Sequence, residues 1–212
     1  MKFHGSKKRL IRIALTGGIG AGKSLALDLL KRKGVPVLQT DYLGHLILKD
    51  KKIVEKLSRI FGKAILDPRG RIDRKKLARE AFQSSLKQKK LNKIMHPLVR
   101  KKVSEWIRSQ GKKSSVPFLV VVEVPLIFER GYYRFFDGVL SISSFLKTRR
   151  ERLLKRGWTL DEIRRREKLQ WTQSRKNKKS DWVIFNNAAK NDLNYAIDRW
   201  LLGFENSRSL NH

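Results

Sequence analysis

Apolar positions along this chain alternate between two rhythms. Ile11–Thr16 (IRIALT) is a short, nearly continuous apolar run, which predicts a buried strand. Lys23–Lys33 carries Leu25, Leu29 and Leu30 at helical spacing and runs into Gly34, the pattern of a helix closed by glycine. Pro36–Thr40 reads as a second short strand, with Asp41 directly after it. Helical spacing resumes over 42–61 (Ile53, Leu57, Ile60, Phe61) and over 74–110, with an interruption expected at His96-Pro97. Between these stretches Asp67-Pro68-Arg69-Gly70 reads as a turn.

Phe118–Glu123 is the strongest strand signal, unbroken in its apolar part as expected of a parallel sheet covered on both faces. Gly138–Ser143 is another strand, and 147–156 and 160–177 are two helices. The second opens on Thr159-Leu160-Asp161-Glu162, a capping box. Asp181–Asn186 is a last strand and 192–202 a last helix. Strands alternating with helices predict a doubly wound α/β parallel sheet of about five strands.

The expected organisation is a basic tail over 1–10 followed by a single domain over 11–205. Its core is 11–41, 117–146 and 181–202. The helical stretch 42–112 is an insertion between strands two and three, and 147–179 is a helical lid candidate.

Composition narrows the chemistry. The chain has 212 residues and no cysteine, so disulfides, thiol nucleophiles and Cys-ligated metals are excluded. Histidines are only four and scattered, which makes a protein-built transition-metal site an unpromising reading. Phe118–Val122 is the longest unbroken apolar run, far short of the ~20 residues a membrane-spanning helix needs. The basic start leads straight into Ile11-Arg12-Ile13 without a leader-like apolar region, so a cytoplasmic protein is expected. The formal net charge is +31, which attracts polyanions and is equally compatible with a general solubility adaptation.

One segment carries specific chemistry. Gly17-Gly18-Ile19-Gly20-Ala21-Gly22-Lys23-Ser24 matches G-x-x-x-x-G-K-[ST], between an apolar strand and an amphipathic helix as that motif requires. Glycines let the backbone wrap a phosphate with its N–H groups inward, and the helix start adds a positive dipole end. Lys23 is placed for the β- and γ-phosphates and the Ser24 hydroxyl for Mg²⁺, with the Leu25 N–H continuing the cradle. The motif indicates a nucleoside triphosphate and leaves the reaction open.

Other candidates carry two readings each. Asp41, beyond the end of a strand, suits a general base or a metal-water ligand, and equally an N-cap. Glu123 ends the third strand where a metal-positioning acid would lie, and Glu129 is a substrate contact or a solvated acid. Between Lys147 and Lys179 fourteen Lys or Arg face four Asp or Glu, a net of +10. Within that stretch Arg152 and Arg156, and Arg166 and Gln170, are four apart and expected to share a helix face. Such arginines suit a lid closing on developing phosphoryl charge, or simply a solvated basic face. His96 is a substrate contact or a structural histidine.

In their order, these residues resemble the dephospho-CoA kinase family. Leu15–Ser24 is similar to its opening, and Asp41 to the second acid of its Asp-x-Asp. His96-Pro97, Pro125-Leu126-Ile127-Phe128-Glu129, the arginines 152 and 156, and Arg166 with Gln170 follow in sequence. Lys176 and then Asp181, Val183, Ile184 and Asn186 close the set. The resemblance spans about residues 11–187 and implies ATP-dependent phosphorylation of the ribose 3′-hydroxyl of dephospho-CoA, the last step of coenzyme A synthesis. It also implies a nucleotide core, a helical substrate-binding insertion and a lid. Asp41 would be the base, Lys23, Arg152 and Arg156 the phosphoryl-stabilising cations, and Gly17, Gly18, Gly20, Ala21, Gly22, Lys23, Ser24 and Leu25 the ATP loop. Asp41, His96, Glu129, Arg166 and Gln170 would face substrate, with Ser24 and Glu123 toward Mg²⁺. Gln39 stands where the first acid is usual, Leu25 where Thr is common, Glu123 where Asp is frequent and Ser180 where Ala is usual.

Two rival readings use the same loop differently: a P-loop module binding nucleic acid, and a kinase for another small hydroxylated metabolite. Nucleic-acid binding that collapses with salt and ignores sequence would be incidental to the charge.

Overall fold

The computed structural model describes residues 10–112, 119–187 and 190–209. The basic tail over 1–9, and Phe118 at the start of the expected third strand, lie outside the described residues. By contact the chain divides into two compact units, 1–38 with 110–212, and 39–109.

The first unit is built on a five-stranded sheet in the order β2-β3-β1-β4-β5. Its strands are β1 (Ile11–Thr16), β2 (Val37–Gln39), β3 (Leu119–Glu123), β4 (Gly138–Ser143) and β5 (Trp182–Phe185). Pairing of β1 with β3, β1 with β4 and β4 with β5 is parallel, with Leu15 opposite Glu123 and Leu140. Ile13 to Thr16, Leu119 to Val122 and all of β4 are buried, because parallel strands covered by helices on both faces need apolar residues at every position.

Helix α1 (Lys23–Arg32) and the terminal helix α9 (Lys190–Ser209) contribute to one core. There Leu27, Leu30, Leu193 and Ile197 pack with Ile13, Leu15, Leu140 and Ile142. Trp182, Trp200 and Phe204 close the end of that core as an aromatic cluster with ring centroids 5.0–6.0 Å apart. The buried hydroxyls of Ser141 and Ser143 in β4 look anomalous in the sequence. Their partners lie on a later helix, described with the site.

The second unit holds α2 (Thr40–Ile47), α3 (Lys51–Phe61), α4 (Arg74–Phe82) and most of α5 (Ser85–Gly111). Leu57, Phe61, Ile65, Leu77 and Ala81 form its core. Asp50 caps α3 by accepting from the Lys52 N–H, and Asp73 caps α4 by accepting from the Lys75 and Lys76 N–H groups. The turn expected at 67–70 is present, with the Asp67 carboxylate accepting from the Arg69 and Arg71 N–H groups. That carboxyl is held below the usual carboxylate range chiefly by the Arg71 N–H.

Helix boundaries depart from expectation at three places. The expected stretch 42–61 is two helices, separated where Asp50 starts α3. The break in 74–110 falls at 83–84 and not at His96-Pro97. Ser84 restarts the helix by accepting the Lys87 N–H on its hydroxyl, whereas Pro97 sits inside α5. Pro97 and Lys93 both lie on the exposed side of α5, where a helix tolerates the N–H that proline lacks. The expected helix 160–177 is two helices, α7 (Leu160–Lys168) and α8 (Gln173–Lys179), for a reason that belongs to the site.

Candidate functional site

The glycine segment leaves β1 and enters α1 as a loop whose shape depends on missing side chains. Gly17 has φ +144°, and a Cβ there would lie 2.2 Å from the Ile142 carbonyl oxygen. Gly22, the residue before α1, has φ +98° in the left-handed region, and a Cβ there would lie 2.0 Å from Asn186 Nδ2. Both positions combine a backbone strained for other residues with no room for a methyl group. Lys23 folds back over the loop, its Nζ donating to the Gly17 and Gly18 carbonyls at 3.1 Å each. Ser24 is exposed in the first turn of α1, while Leu25 packs against the core behind it.

Three residues from beyond β4 hold this loop. Asn186, just past β5 and buried, donates Nδ2 to the Ala21 carbonyl at 2.9 Å. Gln173, the first residue of α8, accepts the Gly18 N–H on Oε1 at 2.7 Å. Its Nε2 donates to Ser141 Oγ at 3.1 Å and Asn177 Oδ1 at 2.7 Å, and Asn177 Nδ2 donates to Ser143 Oγ at 3.0 Å. This satisfied network explains the two buried serines of β4. Arg149, on α6 (Leu146–Leu154), is buried and donates Nη1 to the Ile19 carbonyl at 3.3 Å. Of the three, Asn186 belonged to the residues carrying the family resemblance. No local pattern distinguishes Gln173 and Arg149 from neighbouring polar residues.

The expected lid arginines are placed unequally. Arg152 is half-buried on α6 and reaches Ser144 Oγ at 3.4 Å. Arg156 lies two residues beyond the helix end and is exposed, so the helical face expected for the pair is not formed. Arg166, near the end of α7, is 3.5 Å from Glu162 and lies over the Trp158 ring at 4.4 Å. Thr159 caps α7 by accepting the Glu162 N–H, the half of the capping box that the structure forms.

Glu129, Gln170 and Lys176 come together. Lys176 on α8 is fully buried, with Nζ 3.2 Å from Glu129 Oε1 and 3.4 Å from Gln170 Oε1, and it also donates to the Pro125 carbonyl. Burial holds the Lys176 ammonium below the ordinary lysine range, with Glu129 opposing that shift. Glu129 Oε1 also accepts the Trp171 N–H at 2.7 Å. Phe128 stacks on Trp171 with centroids 5.7 Å apart, and Arg175 lies over the same indole at 3.5 Å. These contacts bind the Trp171 backbone elsewhere, and Thr172 then caps α8 by accepting the Arg175 N–H, so the helix stops at Lys168 and restarts at Gln173. Gln170 therefore lies in the connection, not on a helix shared with Arg166.

Glu123 sits at the carboxyl end of β3. Among the described residues no three His, Asp or Glu side chains gather as a protein-built metal centre would. The Ser24 hydroxyl and the Glu123 carboxylate are hard oxygen donors, which suits Mg²⁺ held mostly by phosphate oxygens and water. In the second unit, Asp41 is exposed in the first turn of α2, two residues past the end of β2, and His96 is half-buried on α5.

Comparison with known proteins matches the dephospho-CoA kinase family model over residues 11–192. The chain belongs to the dephospho-CoA kinase family. A dephospho-CoA kinase from Thermus thermophilus is 35% identical over 191 residues, covering 90% of this chain and 90% of the relative. Among solved structures, TT1252 from Thermus thermophilus aligns with TM-score 0.81 and 33% identity, over 92% of this chain and 98% of that one. The dephospho-CoA kinase from Campylobacter jejuni aligns with TM-score 0.70 and 25% identity, over 93% and 98%. The parallel five-stranded sheet and glycine loop are thus those of a P-loop kinase of this family. No helix among the described residues is long and apolar enough to cross a membrane.

Proposed function

We propose the following division of labour for the family's reaction, transfer of the ATP γ-phosphoryl group to the ribose 3′-hydroxyl of dephospho-CoA. The observation that carries it is the loop, with Gly17 and Gly22 closed against Ile142 and Asn186 and the Lys23 ammonium folded over it. In a backbone so constrained the Ala21 N–H turns to the Gly18 carbonyl, and the chain enters α1 with the Ser24 and Leu25 N–H groups in the first helical turn, where they have no intrahelical acceptor and form an anion cradle that costs little reorganisation when phosphate binds.

Lys23 exchanges its two carbonyl acceptors for the β- and γ-phosphate oxygens. Ser24 and Glu123 hold Mg²⁺, which supplies charge neutralisation on the phosphates when bound. Asp41, exposed and so able to meet a diffusing acceptor, takes the proton from the 3′-hydroxyl as it attacks phosphorus. Arg152 and Arg156 stabilise charge on the transferring group. Gln39, where an acid is usual in the family, leaves Asp41 without a neighbouring carboxylate at that position. His96 and Arg166 contact the acceptor. Glu129 and Gln170 serve it indirectly, by fixing the segment that leads to Gln173. The setting is the cytoplasm, and any nucleic-acid binding is non-specific electrostatics of the +31 charge.

The test is turnover with MgATP and dephospho-CoA, following ADP and the 3′-phosphorylated product by mass. Acceptor-dependent coenzyme A formation that disappears in Lys23→Ala supports the assignment. A folded, ATP-binding protein that forms no product refutes the acceptor.

A further inference from the structure

Arg149 is a charge without a counter-charge of its own. Its residue is only 8% exposed, its Nε has no hydrogen-bond partner, and its Nη1 meets a neutral carbonyl at 3.3 Å. The carboxylate whose field reaches it, Glu167, is already bonded to Arg150 at 2.8 Å. Two guanidinium groups therefore share one carboxylate: Arg150 and Glu167 pair at the partly exposed edge, and the buried Arg149 is left without a carboxylate of its own. A lysine so placed could shed its proton, but a guanidinium cannot. Buried charge is tolerated where it is paired or where a ligand pairs it.

The position of this charge says which ligand. A Cβ on Gly18 would lie 2.5 Å from Arg149 Nη1, and one on Gly20 would lie 2.7 Å from the Arg149 carbonyl oxygen. Arg149 is thus pressed directly against the phosphate loop, at residues where side chains are absent. The carbonyl of Ile19 is a weak substitute for an anion, and a planar fork of N–H groups matches phosphate oxygens well.

We infer that Arg149 is a phosphate-binding residue: with nucleoside triphosphate in the loop, its guanidinium leaves the Ile19 carbonyl for a terminal phosphate oxygen. This adds to Lys23, Arg152 and Arg156 a cation that the motifs did not assign, and it rests on the reading of the loop as an ATP site.

The experiment is calorimetric titration of ATP and of AMP into the wild-type chain, Arg149→Met and Arg149→Lys, with thermal melts of each nucleotide-free protein. No acceptor is present, so the result does not depend on dephospho-CoA. Loss of one charge-assisted contact predicts ATP affinity weakened roughly 10- to 100-fold in Arg149→Met. AMP, which lacks the terminal phosphates, should keep its affinity within about threefold. The nucleotide-free melting temperatures show whether the Arg149–Ile19 contact also holds the loop, and the ATP-specific loss is expected in a variant whose melting temperature stays within a few degrees of wild type. Arg149→Lys keeps the charge but loses the fork and should fall between, and it is read alone if the methionine variant does not fold. ATP affinity within threefold of wild type, or equal losses for ATP and AMP, overturns the inference. A wild-type chain that fails to bind ATP refutes the loop reading instead, whereas ATP binding without coenzyme A formation removes only the acceptor.

Discussion

Replacing Glu129 by glutamine keeps the shape of the buried Lys176 contact and removes its charge. The ammonium, fully buried, would then face three neutral acceptors: Pro125 O, Gln170 Oε1 and the new amide. A ceiling on the cost follows from the option of losing the proton. Moving a lysine from its ordinary 10.5 to neutrality at about pH 7 costs roughly 4.8 kcal/mol at 1.36 kcal/mol per pH unit. Breaking buried pairs costs about 3–5 kcal/mol, and the retained acceptors lower this to an expected 2–4 kcal/mol. For a chain of this size that is a melting temperature lower by roughly 5–15 °C.

Lys176→Met should lose a comparable amount, because it strands a carboxylate whose Oε2 already has no hydrogen-bond partner. The double variant Glu129→Met, Lys176→Met removes both charges and should recover about 2 kcal/mol or more relative to the sum of the singles. Urea unfolding of the four proteins, followed by circular dichroism, measures the cycle. Additivity within about 0.5 kcal/mol would show that the pair is not coupled and would refute the account of the 170–176 segment.

Four further outcomes follow from the same contacts. Because burial depresses the Lys176 pKa in the folded state, the unfolded chain binds more protons between that lowered value and 10.5. Wild-type stability should therefore rise with pH across this window relative to Lys176→Met, and a pH-independent difference in urea midpoints would contradict it. Gln173→Leu leaves the Gly18 N–H without its acceptor and should raise the KM for ATP several-fold with a smaller change in kcat, while Gln173→Glu, which keeps the acceptor, should be milder; steady-state kinetics decide. Gly22→Ala places a methyl group against Asn186 in a left-handed backbone and should abolish ATP binding in titration, an effect that Asn186→Ala should partly relieve. Asp41→Asn should reduce kcat by about 10²–10⁴ with ATP affinity unchanged, and near-normal turnover would remove the general-base assignment.

The sequence alone determined the elements whose signal is local. Apolar continuity located β1 and β4 at the residues where they occur, and glycine spacing followed by Lys23-Ser24 located the loop. Those signals survive without tertiary context because backbone conformation and burial on both faces restrict which residue types fit. Tertiary structure decided everything that depends on a partner far along the chain. The break between α7 and α8 exists because Glu129, 42 residues earlier, takes the Trp171 N–H, and no rule of helical spacing contains that information. Gln173 and Arg149 look like ordinary members of a basic, polar stretch until folding sets them against Gly18 and Ile19, from which they stand 155 and 130 residues away along the chain. Ser141 and Ser143 look misplaced in a buried strand until α8 supplies Gln173 and Asn177. Hydrophobic pattern reports how each residue meets water, whereas hydrogen-bond and charge partners are chosen by the three-dimensional path of the chain, and the environment that decides the role of a polar residue forms only with that path.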